Sequence, residues 1–462
     1  MAEDAFVEWA GREFGSCSLG DWRRTKRLVK IAAGLAENVG GAVSSCCGRI
    51  GAQLISRFFD QDEVSVDSVL QSHVAATAKR CVESGLVIAV QDTTFLDFTG
   101  RKDLEDELGP IGPCSESRGV LMHSVLGVSP GRSVFGLLGM DVWTRDPADY
   151  GSGAKRRKRL IADKESRKWL DGLAKAESAL PESQPLLLVG DRESDVFALF
   201  AAPRRATTDL LVRANQNRAL VDSEYSRMRD AIEAAEVLGS YKVSIPRQGS
   251  RRAREAHLEI QARAIVVKAP LHRTPDVADV PVTLSVVRAR EIDAPDGVEP
   301  LEWILLTSMV VNDLADARRI IDFYGVRWVI EEFHRVLKSG CRVESVQFET
   351  LDRLKPVIAV LSVVAWRVLS LCKNVREEPD APASCVCSET ERVVMEKWMA
   401  LKKEKAPRIR TASEFVRAVA ILGGFMARKC DGKPGTKTLW QGLRRLARII
   451  HDPRLASIRT GI

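Results

Sequence analysis

The sequence has no long hydrophobic run. Among its 462 residues the longest apolar stretch, Pro356 to Trp366, is ended by Arg367. That falls short of the roughly 18 residues a membrane span requires, so a membrane protein is not expected. The opening segment, MAEDAFVEWAGREF, has neither the basic lead nor the apolar centre of a secretory signal, and a cytoplasmic location is expected. Cysteine pairs are few: the ten cysteines are scattered apart from Cys46/Cys47 and Cys385/Cys387, which predicts free thiols. The six histidines stand at no zinc-type spacing, and HExxH is absent, which argues against a structural zinc. Walker A, GxGxxG and GxSxG patterns are missing too, so nucleoside-triphosphate, dinucleotide and serine-hydrolase chemistry has no support. There is no internal repeat and no low-complexity tract.

What is present is a globular balance of 45% hydrophobic and 28% charged residues, with length for about three domains. Lys+Arg 69 against Asp+Glu 62 gives +7, and the excess is clustered. Basic runs stand at Arg23 to Arg27, Lys155 to Arg159, Arg251 to Arg254, Lys402 to Arg410 and Arg444-Arg445. A single run is usually a solvated face, but five together fit a polyanion such as DNA, because neutralising phosphates releases counterions.

Residues 1 to about 75 read as helices, with apolar periods in Leu28, Ile31, Ala32, Leu35 and in Leu54, Phe58, Phe59. From Leu86 short apolar runs bounded by turn residues predict an α/β core: LVIAVQD, GVLMHSVLGV, SVFGLLGMDVW, PLLLVGD and DLLVRAN. SPGR between the second and third runs predicts a hairpin. A polar, β-leaning stretch from about 216 to 302 predicts an inserted β subdomain, followed by the strand WILLTS and a helical stretch from Leu314 to Ser339. Residues 375 to 388 read as a linker, and the remainder is helical and basic.

Asp92 and Asp191 each end an apolar run and precede polar turn residues. On neighbouring buried strands both carboxylates would emerge at one sheet edge; taken singly, each is equally an N-cap. Asp97 and Asp195 do not directly end a core run and rank lower. On a continuous helix, at about 100° per residue from Tyr324, Arg327, Glu331, Arg335 and Lys338 fall within about 80° of arc. Val326, Val329, Ile330, Phe333, Val336 and Leu337 form the opposite, buried stripe, and Glu332 lies outside the polar cluster, so phasing selects Glu331. The bland alternative is a solvated face with Glu331 and Arg335 paired at i,i+4. Three carboxylates converging without a cation would repel one another, so such a cluster makes sense around Mg²⁺, with Mn²⁺ as substitute. Two ions together can activate an attacking hydroxyl and stabilise a leaving oxygen of a phosphodiester.

The helix fits Tyr-x2-Arg-x3-Glu-x6-Lys, and LGDWRRTKRLV, QDTTFLD, SRGVLMHSVL, GDRESDVFAL, LLVR, PLEWILLTS, RIIDFYGVRWVIEEFHRVLKSG and LGGFM follow in order. In these motifs the chain resembles bacterial insertion-sequence DDE transposases of the insertion-sequence-four family, across nearly its whole length. The resemblance implies an RNase H-like catalytic core (76–372) with a β insertion at about 216–302. A helical DNA-binding domain (1–75) and a helical dimerisation domain (373–462) would flank it. It implies Asp92, Asp191 and Glu331 as catalytic carboxylates holding two metal ions. Tyr324, Arg327, Arg335, Lys338 and Arg213 would contact transposon-end DNA near the cleavage site, Trp303 would stack on a flipped base, and Arg23, Arg24 and Arg27 would grip the transposon end. It further implies cut-and-paste transposition through a hairpin intermediate, by a homodimer on paired ends. The competing expectations are a DNA-end-binding regulator that does not cut and an RNase H-like structure-specific nuclease.

Overall fold

The computed structural model describes residues 3–43, 48–112, 116–147, 159–221, 224–245, 253–402, 408–428 and 431–451. Three of the basic runs therefore fall partly outside the described residues: Lys155 to Lys158, Arg251-Arg252 and Lys403 to Pro407. The chain forms two compact units, one from Met1–Ser84, Thr93–Tyr150 and Val329–Ile462, the other from Gly85–Asp92 and Gly151–Trp328.

The first unit begins with helices Glu3–Phe14, Trp22–Glu37, Gly48–Phe59 and Val66–Val82. Asp21 caps the second by accepting the Arg23 N–H, and Ser65 and Ser68 form a capping box on the fourth, each satisfying amides the helix leaves unpaired. Leu28, Ile31, Ala32 and Leu35 are buried as the period predicts, whereas Leu54 is exposed and its neighbour Ile55 joins Phe58 and Phe59 in the core. The core helix is Leu351–Glu377, 27 residues long. By length and hydropathy it could cross a membrane, but 83% of its most apolar window is buried. It packs on the strand Val134–Trp143 and on three of the four N-terminal helices. This is how an apolar helix longer than any apolar run in the sequence serves as a core. Helices Glu389–Lys402, Ala412–Leu422 and Thr436–His451 close around Val394, Phe415, Val419, Leu439 and Leu446. At Gly442 a Cβ would lie 1.9 Å from the Val419 carbonyl oxygen, so the last two helices meet at a distance only glycine permits.

The strands of this unit are the second half of β1 (Val87–Asp97), with β2 (Gly109–Pro110), β3 (Arg118–Val128) and β4 (Val134–Trp143). β3 and β4 pair antiparallel around the expected turn, where Ser129 and Ser133 close the loop by a 2.8 Å backbone hydrogen bond. Beneath β4 lies a buried polar network. His73 Nδ1 is 2.6 Å from Glu13 Oε2, and Arg80 donates to both Glu13 oxygens at 2.9 and 3.2 Å. His73 Nε2 accepts the Leu137 N–H at 3.0 Å, which fixes the ring as the neutral tautomer donating from Nδ1. Gly136, with φ of +150°, lets β4 come this close, since a Cβ there would stand 2.0 Å from Thr77 Oγ1.

The second unit contains the first half of β1, then β5 (Leu186–Gly190), β6 (Thr208–Arg213), β7 (Val237–Ile245), β8 (Arg254–Val267), β9 (Val282–Glu291) and β10 (Glu302–Thr307). Its sheet runs β1-β5-β6-β10-β9-β8-β7, with β1, β5 and β6 parallel and the rest antiparallel. A meander followed by strands parallel to β1 is the RNase H-like arrangement, so the predicted α/β fold class holds. The stretch expected as an inserted β subdomain contains β7, β8 and β9, which extend this sheet. β9 pairs with β10 from Glu302↔Arg290 to Thr307↔Ser285, and so supplies the backbone partners that an exposed β10 edge would lack.

Candidate active site

Two acidic side chains come from adjacent parallel strands. Val90 of β1 is paired with Val189 of β5, and two residues beyond each stand Asp92 and Asp191. The local settings differ from expectation. β1 does not end at Asp92 but continues through Thr93-Thr94-Phe95-Leu96 to Asp97, residues suited to a pleated strand, so Asp97 is the true end of that strand. Asp92 is largely buried, with Arg327 Nη1 at 3.5 Å from Oδ2. Asp191 follows β5 directly and caps the short turn Arg192–Ser194, its Oδ1 accepting the Glu193 N–H at 2.8 Å. The capping role expected of a lone Asp is thus present, and it uses one of two carboxylate oxygens. Asp195 is structural: fully buried, it pairs with Arg218 and accepts the Asn215 and Gln216 amides at 2.7 and 2.8 Å.

Beside these carboxylates is an aromatic and cationic cluster. Tyr324 is buried, with the Arg213 and Arg327 guanidinium groups as its neighbouring charges. Burial and the nearby Asp191 raise its pKa against the pull of the two arginines, so it stays a phenol. Arg213 ends β6 and donates to the Glu302 carbonyl at 3.1 Å; burial lowers its pKa, as do the neighbouring Arg192 and Arg327 cations. Trp303 is half-buried in β10 rather than an exposed aromatic, with its ring edge-on to Tyr324 at 5.9 Å. The exposed aromatic is Trp328, 51% accessible, with the Arg327 guanidinium 5.2 Å from its ring.

The expected single helix from Leu314 to Ser339 is broken. Leu314–Gly325 stops, Val326 and Arg327 form a turn closed by bonds to Phe323 and Tyr324 carbonyls, and Trp328–Arg335 begins anew. The next turn, Val336–Gly340, is π-helical. Phasing carried across these interruptions does not hold, which is how Tyr324 comes to be buried. Within the new helix the buried stripe is as predicted: Val329, Ile330 and Phe333, continued by Val336 and Leu337. Glu331 is half-buried; Glu332 is ion-paired with the buried Lys373. Arg335 lies 3.9 Å from Glu332, at i,i+3, and Lys338 lies 3.8 Å from Glu344.

On helix Trp22–Glu37, Arg23 and Arg27 are exposed, together with Lys26 of the same basic run and Lys30 just beyond it. Arg24 is held within the unit by Glu63 at 2.7 Å and the Leu19 carbonyl at 2.9 Å. Two other basic-run residues are likewise committed, Arg254 to Glu291 and Arg445 to the Leu422 carbonyl.

Three family models match the chain: a transposase DNA-binding model over residues 7–64, a transposase DDE domain over 160–364, and the Tn5 transposase dimerisation domain over 363–460. The chain is a DDE transposase. The transposase acts on DNA and carries the domain through which it forms a homodimer. DDE domains use divalent metal ions. Among the described residues no three His, Cys, Asp or Glu side chains gather closely enough to hold an ion. The donors do fit one chemically. Asp92 and Asp191 offer only hard oxygen at equivalent positions of paired strands, and Arg327 sits at the Asp92 carboxylate as a counter-charge.

Proposed function

We propose that this transposase performs cut-and-paste transposition in the manner of the insertion-sequence-four family, in the bacterial cytoplasm. The observation that carries the reading is the shared position of Asp92 and Asp191 beyond a paired Val90 and Val189, with Arg327 of the signature motif at Asp92. Asp92, Asp191 and Glu331 are the carboxylates that would hold two Mg²⁺ ions, with Mn²⁺ as substitute. When bound, the metal lowers the pKa of an attacking water or hydroxyl and offsets charge on the leaving oxygen. Tyr324, Arg327, Arg335, Lys338 and Arg213 orient the transposon end through its phosphates, and Arg23 and Arg27 grip the duplex farther from the cut. One strand is nicked by water, its 3′-hydroxyl attacks the opposite strand to form a hairpin and displace the flanking DNA, a second water opens the hairpin, and the released 3′-hydroxyl attacks target DNA. Each step is a displacement at phosphorus, so one set of carboxylates serves all of them. The matched DNA-binding and dimerisation segments support residues 1–75 as the end-binding part, 76–372 as the catalytic part and 373–462 as the dimer contact.

The test is cleavage of a duplex carrying the terminal repeat of the encoding element, with Mg²⁺, on a denaturing gel. Asp92→Ala, Asp191→Ala and Glu331→Ala each abolish nicking and keep end binding. Normal nicking by any of the three removes that residue from the triad. End binding by the wild type without cleavage favours a regulator that does not cut.

A further inference from the structure

The helix Trp22–Glu37 carries an exposed aromatic where its charged face begins. Trp22 is 62% exposed, the Lys26 ammonium sits 4.3 Å from its ring, and at about 100° per residue Trp22, Thr25, Lys26, Val29 and Lys30 share one side of the helix. That side forms one wall of a groove of about 800 Å³, and the segment from Gly15 to Asp21 forms the other. The segment is pinned. Ser16 Oγ bonds Ser72 at 2.8 Å, the Cys17 thiol donates to the Val69 carbonyl, the Ser18 amide donates to Gln71, and Thr25 donates to the Cys17 carbonyl at 2.9 Å. The groove is therefore formed before anything enters it. Lys26 and Lys30 are the exposed cations that line it, and Asp21, the carboxylate in its lining, caps the helix.

Two lysines beside an exposed aromatic ring at the mouth of a pinned groove suit a strand with phosphates outside and an apolar sugar and base edge inside. Within the reading of this segment as the DNA-binding part, we propose that the groove is a subsite for duplex DNA. In it Trp22 packs against deoxyribose and a base edge, while Lys26 and Lys30 bind the adjacent phosphates. Lys26 has a second role before binding, since its ammonium holds the indole ring in place.

The two contact types separate by salt. Each phosphate contact adds about 0.9 to the slope of log affinity against log salt, and an apolar ring contact adds nothing. Affinity of a fluorescein-labelled terminal-repeat duplex is measured across a salt series without metal, so that no cleavage is involved. Trp22→Ala weakens binding about tenfold with its slope unchanged, and Trp22→Phe restores most of the loss. Lys26→Ala with Lys30→Ala lowers the slope by about 1.8. Unchanged affinity in Trp22→Ala, or a Trp22→Ala defect that shows as a lowered slope, overturns the proposal. Absence of duplex binding by the wild type refutes the end-binding reading itself, a result distinct from equal binding by wild type and variant.

Discussion

Replacing Glu13 by Gln removes the charge at the centre of the network beneath β4 and leaves its shape. Burial pushes the Glu13 carboxyl up, but the hydrogen bond from His73 and the Arg80 guanidinium outweigh it, and the pKa falls from an ordinary 4.5 to about 2. That difference corresponds to about 3 kcal/mol of stability. Because the folded value is the lower one, the contribution is complete above pH 4.5 and is lost as pH falls through the folded pKa. About 1 kcal/mol is gone by pH 3.5, and the remainder disappears near pH 2. His73 acts in the same direction: burial lowers its pKa despite Glu13, so the folded protein holds the ring neutral while the unfolded chain takes up a proton below about pH 6.5. Glu13→Gln also leaves Arg80 without its counter-charge against the Trp366 ring, 4.4 Å away. The assay is urea unfolding followed at pH 7 and pH 3.5. The variant is expected to lose about 3 kcal/mol at pH 7 and correspondingly less at pH 3.5. An equal gap between wild type and variant at both pH values would refute the reasoning, because it would show that the Glu13 charge does not titrate with folding.

Asp195→Asn strands the buried Arg218 and should cost about 3–5 kcal/mol in urea unfolding, whereas Asp191→Asn, on a half-exposed turn, should cost far less. Equal losses would contradict the structural role given to Asp195. Chelation by EDTA should stop cleavage and leave duplex binding intact; cleavage that persists in chelator would exclude a metal-dependent step. Trp303→Ala should slow hairpin formation or opening while leaving the first nick at its normal rate, read by single-turnover gels. Unchanged hairpin kinetics would take Trp303 out of base stacking.

The parts of the fold carried by local pattern were legible in the sequence. The runs ending near Asp92 and Asp191 are paired strands, SPGR is a hairpin turn, and Val329 to Leu337 bury the residues their period assigns. Interruptions set by side-chain reach were not legible. Nothing between Tyr324 and Trp328 forbids a helix, and the break coincides with Arg327 turning to the Asp92 carboxylate, 235 residues earlier in the chain. Nor does any local period announce Glu13, His73 and Arg80, which meet across about sixty residues. The basic runs were legible as charge but not as surface, because Arg24, Arg254 and Arg445 each find an internal acceptor.

The first unit draws on both ends of the chain, with its N-terminal helices packed on Leu351–Glu377. During synthesis those helices leave the ribosome on the order of tens of seconds before the helix that completes their core. In that interval they form an amphipathic segment without its apolar partner, still tethered to the message. A chain cut short before Leu351 keeps the DNA-binding sequence but loses the core that shapes it. Premature termination should therefore yield unfolded fragments for proteolysis rather than a competing half-length DNA binder.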